Sequence, residues 1–103
     1  MNPCDTLSFL TVIANRKQTD ALLFALPESG AHLLHTTYAH GSVSVGTLPS
    51  VLGFVPEKEK AIITCLLTHE KSEAVFHLLT EKFHFGQPNT GIAFTMPVEQ
   101  LSY

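Results

Sequence analysis

Hydrophobic residues fall into short runs separated by polar breaks, and each run carries its own period. Residues 8–14 (SFLTVIA) are apolar without interruption and rich in β-branched and aromatic side chains, which predicts a strand, β1, buried on both faces. After Asn15-Arg16-Lys17, Thr19 or Asp20 can cap a helix, α1, running through residues 21–26 and ending near Pro27 and Gly30. The helix is almost wholly apolar, so it is expected to be well covered. Residues 32–40 (HLLHTTYAH) alternate weakly as β2, with Leu34, Thr36 and Tyr38 on one face and Leu33, His35 and Thr37 on the other. Residues 60–68 (KAIITCLLT) read as a further doubly buried strand, β3. In residues 70–85 Val75, Leu78, Leu79 and Phe83 recur at helical spacing, predicting α2 with Gly86 at its C′ position. Residues 91–98 (GIAFTMPV) put Ile92, Phe94, Met96 and Val98 in alternation as β4, where Pro97 is tolerable only near a strand end or at a sheet edge.

This order, β-α-β-β-α-β, predicts a single α+β domain over residues 1–103. It is a ferredoxin-like sandwich, a four-stranded antiparallel sheet with two helices on one face, built from two halves with right-handed crossovers. Residues 42–59, between β2 and β3, are far longer than a hairpin needs, and such loops in compact domains are commonly functional. Val45, Leu48, Val51, Leu52 and Phe54 make the segment apolar, unlike a disordered linker, and residues 47–53 read as one capped helical turn. It is expected to bury against its own subunit, a neighbouring copy or a partner protein.

Composition narrows the function. Hydrophobic residues make up 45% of the chain and charged residues 15%, a lean surface charge that favours an oligomer for so small a domain. Net charge is −3 with six Lys and Arg, no footprint for a nucleic-acid backbone. Cys4 and Cys65 form no C-x-x-C pair, so Cys65 reads as a small core residue and Cys4 as a terminal thiol. The first residues lack a signal-peptide pattern and no apolar run reaches spanning length, so a cytoplasmic protein without membrane insertion is expected. The six histidines, at 32, 35, 40, 69, 77 and 84, lack a ligand motif; His32 and His35 are expected on opposite faces of β2, so no metal site is assigned.

Catalytic signatures are absent: no G-x-S-x-G, phosphate-binding Gly-Lys loop or dinucleotide fingerprint occurs, and the chain is not read as an enzyme. Asn15-Arg16-Lys17-Gln18 replaces the C-x-x-C that a heavy-metal carrier of this topology needs after β1. Without glycines beside it, Arg16 reads as part of a solvated loop rather than an anion cradle. In the α2–β4 passage, Gly86, Asn89 and Gly91 permit positive φ, so successive backbone N–H groups along Gly86, Gln87, Asn89, Thr90 and Gly91 could converge into an anion-binding nest, although ordinary turn chemistry accounts for them equally well.

Residues 86–99, Gly86-Gln87-Pro88-Asn89-Thr90-Gly91-Ile92-Ala93-Phe94-Thr95-Met96-Pro97-Val98-Glu99, resemble the G-x-x-G-D-G-K-I-F-V-x-P-V-E signature of the PII nitrogen-regulatory signal proteins. His40-Gly41, the excursion at 42–59 and residues 56–61 match the position of that family's T-loop. The resemblance implies a homotrimer with ligand sites in the clefts between subunits, here at Gly41, Ser42, Gly86, Gln87, Asn89, Thr90 and Gly91. It also implies an effector loop, carrying Val45, Leu48, Val51, Leu52 and Phe54, that engages a target enzyme or membrane transporter. Ile92 stands where the family has a phosphate-binding lysine, Ser42-Val43 where it has Arg-Gln, and the sequence given ends at Tyr103, short of the family's C-terminal arginines. Each missing charge-assisted contact is ordinarily worth ~1.5–3 kcal/mol, so adenine nucleotide binding is expected to be weakened, altered or lost. The alternative, favoured by the histidines, is a CutA-like trimer that responds to divalent metal.

Overall fold

The computed structural model describes residues 7–39, 60–87 and 90–100. In chain order these form β1 (Leu7–Asn15), a 3-10 turn (Arg16–Gln18), α1 (Thr19–Glu28), β2 (His32–Ala39), β3 (Lys60–Thr68), α2 (His69–Phe83) and β4 (Gly91–Pro97). The strands make one antiparallel sheet in the order β2-β3-β1-β4. Each βαβ half therefore crosses over a strand of the other half, and the predicted ferredoxin-like topology is the one observed. Residues 42–59 lie outside the described residues, as does Cys4.

Alternate strand residues join the helices in one core. Leu10, Val12 and Ala14 of β1 and Ile63, Cys65 and Leu67 of β3 cluster with Leu22 and Leu26 of α1 and with Val75, Leu79 and Phe83 of α2. The spacing is the reason: period two on the strands and i, i+4 on the helices bring one stripe of each to a common plane. Strand register extends this layer into rungs such as Thr36–Ile63–Val12–Ala93. Among the described residues the other side of the sheet carries no helix. Its rungs are His32–Leu66–Phe9–Met96, His35–Thr64–Thr11–Phe94 and Thr37–Ile62–Ile13–Ile92. Within one chain, β1 and β3 are thus fully covered on one face and only partly on the other, where Phe9, Ile13, Ile62 and Leu66 remain half-buried.

Several local expectations are corrected. Only Leu22, Leu26 and Thr19 of α1 are buried while Phe24 is 74% exposed, because so short a helix lays a single stripe on the sheet. Its start has no side-chain cap; the Thr19 hydroxyl instead donates to the Arg16 carbonyl at 2.7 Å. α2 ends before Gly86: His84 takes the left-handed conformation, φ 60°, and the Phe85 N–H donates to the Leu79 carbonyl at 3.1 Å. In β2 a bulge between His32 and His35 leaves Leu33 at φ 56° and pairs His32 with Leu66 and His35 with Thr64. Because the extra residue shifts the period, both histidines share the open face, against the alternation read from sequence.

Candidate functional site

Strand register gathers the chemistry-bearing segments at one end of the sheet. Asn15 and Ala39 both lie opposite Lys60, and Ala14 lies opposite Gly91. The ends of β1 and β2 and the starts of β3 and β4 therefore coincide. From this end the chain leaves toward residues 42–59, and into it the α2–β4 turn delivers Gly91.

Two cations sit at this end that the sequence pattern does not mark as site residues. Lys60 is 8% exposed, and its Nζ donates to Asn15 Oδ1 at 2.8 Å. A lysine so covered needs an acceptor, and the facing strand supplies one. Arg16, expected in a solvated loop, is exposed but lies with its guanidinium 4.4 Å from the centre of the Tyr38 ring, a cation–π contact tying the turn after β1 to the end of β2. The hint in the sequence is Lys60 itself, a charge opening an otherwise uncharged strand. Beside Arg16, Gln18 Oε1 is buried without a hydrogen-bond partner.

The α2–β4 turn is held by its own backbone. The Gln87 N–H donates to the His84 carbonyl at 3.0 Å and the Thr90 N–H to the Gln87 carbonyl at 3.4 Å. These two N–H groups thus serve the turn itself. Among the described glycines only Gly30 has positive φ, so Gly86 and Gly91 are used for a different reason than a nest requires. At Gly91 that reason is close approach: a Cβ there would run into the Phe85 ring.

Next to this contact is a cleft of about 350 Å³ between α2 (Phe76, Leu79, Thr80), the turn (Phe85, Gly86) and β4 (Gly91, Ile92, Ala93). Its size suits a small molecule. Its lining side chains are apolar apart from Thr80, whose hydroxyl donates to the Phe76 carbonyl at 3.0 Å, and backbone at Gly86 and Gly91 also borders it. Among the described residues no charged side chain lines it; Ile92 borders it, while strand register turns the Ile92 side chain toward the open face.

Of the residues assigned from sequence, Gly86 and Gly91 line the cleft and Gln87 and Thr90 belong to its turn; Gly41, Ser42 and Asn89 lie outside the described residues. So do Val45, Leu48, Val51, Leu52 and Phe54, and so does His40. The other histidines are dispersed: His32 and His35 on the open face, His77 beside Glu81 at 3.9 Å on α2, His69 and His84 exposed. Among the described residues no group of three or more His, Cys, Asp or Glu is arranged to hold a metal. Nor is any described helix long and apolar enough to cross a membrane.

No protein-family model and no curated protein sequence matches the chain. Its architecture places it among ferredoxin-like α+β domains. Within that class its backbone is similar to a PII-like signalling protein of Thermus thermophilus, at 18% identity and a TM-score of 0.64 over 87% of this chain and 83% of that one. It is also similar to CPII of Thiomonas intermedia K12, solved with ADP, AMP and acetate, at 13% identity and a TM-score of 0.65 over 86% and 82% of the two chains. A DUF3240 family protein of Shewanella baltica aligns over 95% of this chain and 96% of its own, at 16% identity and a TM-score of 0.66. The chain has the fold of the PII-like proteins.

Proposed function

We propose that this chain is a PII-like regulatory protein rather than an enzyme: a cytoplasmic homotrimer that senses a small-molecule effector and controls a protein target, an enzyme or a membrane transporter, through residues 42–59. A role in nitrogen regulation follows the same resemblance. The observation that carries the reading is the shared sheet end. There the cleft beside Gly91 and the root of the 42–59 segment at Ala39 and Lys60 lie on the same four strand ends. A ligand held at that end gains differential affinity for two states of the segment by touching its root, which any population shift requires.

The effector is expected to differ from the triphosphate. CPII, a structural neighbour, was solved with ADP and AMP, whereas among the described residues no cation lines the cleft here. Backbone donors without cations hold a triphosphate poorly. Calorimetry with ATP, ADP, AMP and cyclic dinucleotides tests this: binding by Mg-ATP in the micromolar range overturns the charge argument. Co-purification of a target that persists when residues 42–59 are deleted overturns the role given to that segment.

The CutA-like metal-responsive reading is supported by one observation, the bulge that sets His32 and His35 on one face. Stabilisation by zinc or copper that vanishes in His32→Ala and His35→Ala favours it; stabilisation that survives both removes these histidines from any metal response.

A further inference from the structure

We infer that the cleft between α2 and β4 takes an uncharged, ring-bearing small molecule, an aromatic body with a single hydrogen-bond acceptor, and not a phosphorylated or carboxylated one. The inference rests on the effector role proposed above and adds the chemical class of the effector. Charge is the first argument. The wall side chains Phe76, Leu79, Phe85 and Ala93 carry none. The two described cations of the neighbouring sheet end are engaged elsewhere, Lys60 Nζ on Asn15 Oδ1 at 2.8 Å and the Arg16 guanidinium over the Tyr38 ring at 4.4 Å. An anion entering the cleft gives up water and meets no counter-charge, whereas a neutral ring gives up little.

Shape is the second argument. The Phe85 ring lies so close over Gly91 that a Cβ there would collide with it, and the Phe85 N–H is tied to the Leu79 carbonyl at 3.1 Å. Phe85 is therefore a fixed wall rather than a loose flap, and with Phe76 it offers ring faces and edges that favour offset or edge contact with another ring. A volume of about 350 Å³ is at the low end for small-molecule pockets and fits one or two fused rings.

The polar requirement is equally narrow. In the turn the N–H groups of Phe85, Gln87 and Thr90 all donate to backbone carbonyls. Gly86, which borders the cleft, donates to no backbone carbonyl among the described residues. The Thr80 hydroxyl already donates to the Phe76 carbonyl, so Gly86 is left to supply the donor that fixes a ligand's orientation.

The test is a titration of the full chain with quinoline, a neutral two-ring compound with one acceptor, and with its carboxylate quinaldate, followed by amide shifts in two-dimensional NMR. The expected result is a saturable response to quinoline centred on Gly86, Gly91 and Ala93, with quinaldate at least tenfold weaker. Ala93→Leu, whose side chain fills the cleft from the helix-covered side of β4, is expected to weaken quinoline at least tenfold. Should that variant fail to fold, Thr80→Lys at an exposed position puts a cation in the wall and is expected to shift the preference toward quinaldate. No saturable response up to the solubility limit overturns the inference and shows a cleft closed by protein, from this chain or another copy. Tighter binding of quinaldate than of quinoline by the wild type overturns it too, as does a response to quinoline that neither variant alters. The regulatory reading is scored separately on the same samples by solution mass. Quinoline binding to a chain of monomer mass upholds the ligand class and overturns the trimeric sensor, while a trimer that binds neither probe overturns the ligand class alone.

Discussion

Ile62 and Ile63 are neighbours on β3 with identical side chains, yet Ile63 is fully buried against the helices while Ile62 faces the open side and is only half-buried. The same division runs along β1, between Leu10 and Phe9, and is reversed in residue size on β4. Among the described residues one face is completed by the chain's own helices and the other is only half-covered. In the homo-oligomer proposed above, the difference would separate two kinds of stability, one intrinsic to the subunit and one that depends on concentration.

The largest effect expected from breaking this comparison is at Ile63. Ile63→Ala removes methyl groups from the closed core and is expected to cost about 2–5 kcal/mol in urea unfolding at any protein concentration. Ile62→Ala is expected to cost less in the dissociated chain and to act mainly on self-association. Equal, concentration-independent losses at both positions would erase the distinction between the faces.

Gly91→Ala comes next. Its Cβ would displace the Phe85 ring, an overpacking expected to cost about 1–3 kcal/mol. Phe85→Leu in the same chain is expected to restore part of the loss, so the double variant should be more stable than Gly91→Ala alone. A smaller, opposite effect is expected at Leu33, held at φ 56° and 79% exposed. Replacement by Gly relieves a left-handed strain of about 1–2 kcal/mol, partly offset by the greater freedom of glycine in the unfolded chain. The denaturation midpoint should rise slightly or hold; a clear fall would show that the leucine side chain has a covered role.

The last effect is absent at neutral pH and appears only in alkali. Burial pushes the Cys65 thiol up from 9.0 to about 11, so the folded state favours the protonated form. Its contribution is fully present below pH 9 and declines as pH rises toward 11. Cys65→Ala is expected to flatten that alkaline decline, followed by thermal unfolding between pH 8 and pH 11. Thiol reagents should modify Cys65 in the native chain only slowly at neutral pH.

Much of the fold is legible in the sequence because the apolar runs are bounded cleanly. The run at residues 60–68 has the observed limits of β3, and the stripe of Val75, Leu79 and Phe83 lies on the core as the spacing implies. What escapes depends on geometry that single-residue patterns do not carry. The bulge in β2 moves His35 to the side of His32, and no composition cue separates a bulged strand from a regular one. α2 stops at His84 rather than at the glycine because the turn is closed by the Phe85 ring over Gly91, a contact between segments. At the candidate site, the turn sequence marks Gly86, Gln87, Thr90 and Gly91. It does not mark Lys60, Asn15 or the Arg16–Tyr38 stack, since only strand register brings those ends together.

The most direct test of the regulatory account is the mass of the unmodified chain in solution, measured by native mass spectrometry with and without AMP and ADP. A PII-like sensor with subunit clefts predicts three times the 11.3 kDa chain mass, with any bound nucleotide retained on the trimer. A species of 11.3 kDa at every concentration and with every ligand would contradict it.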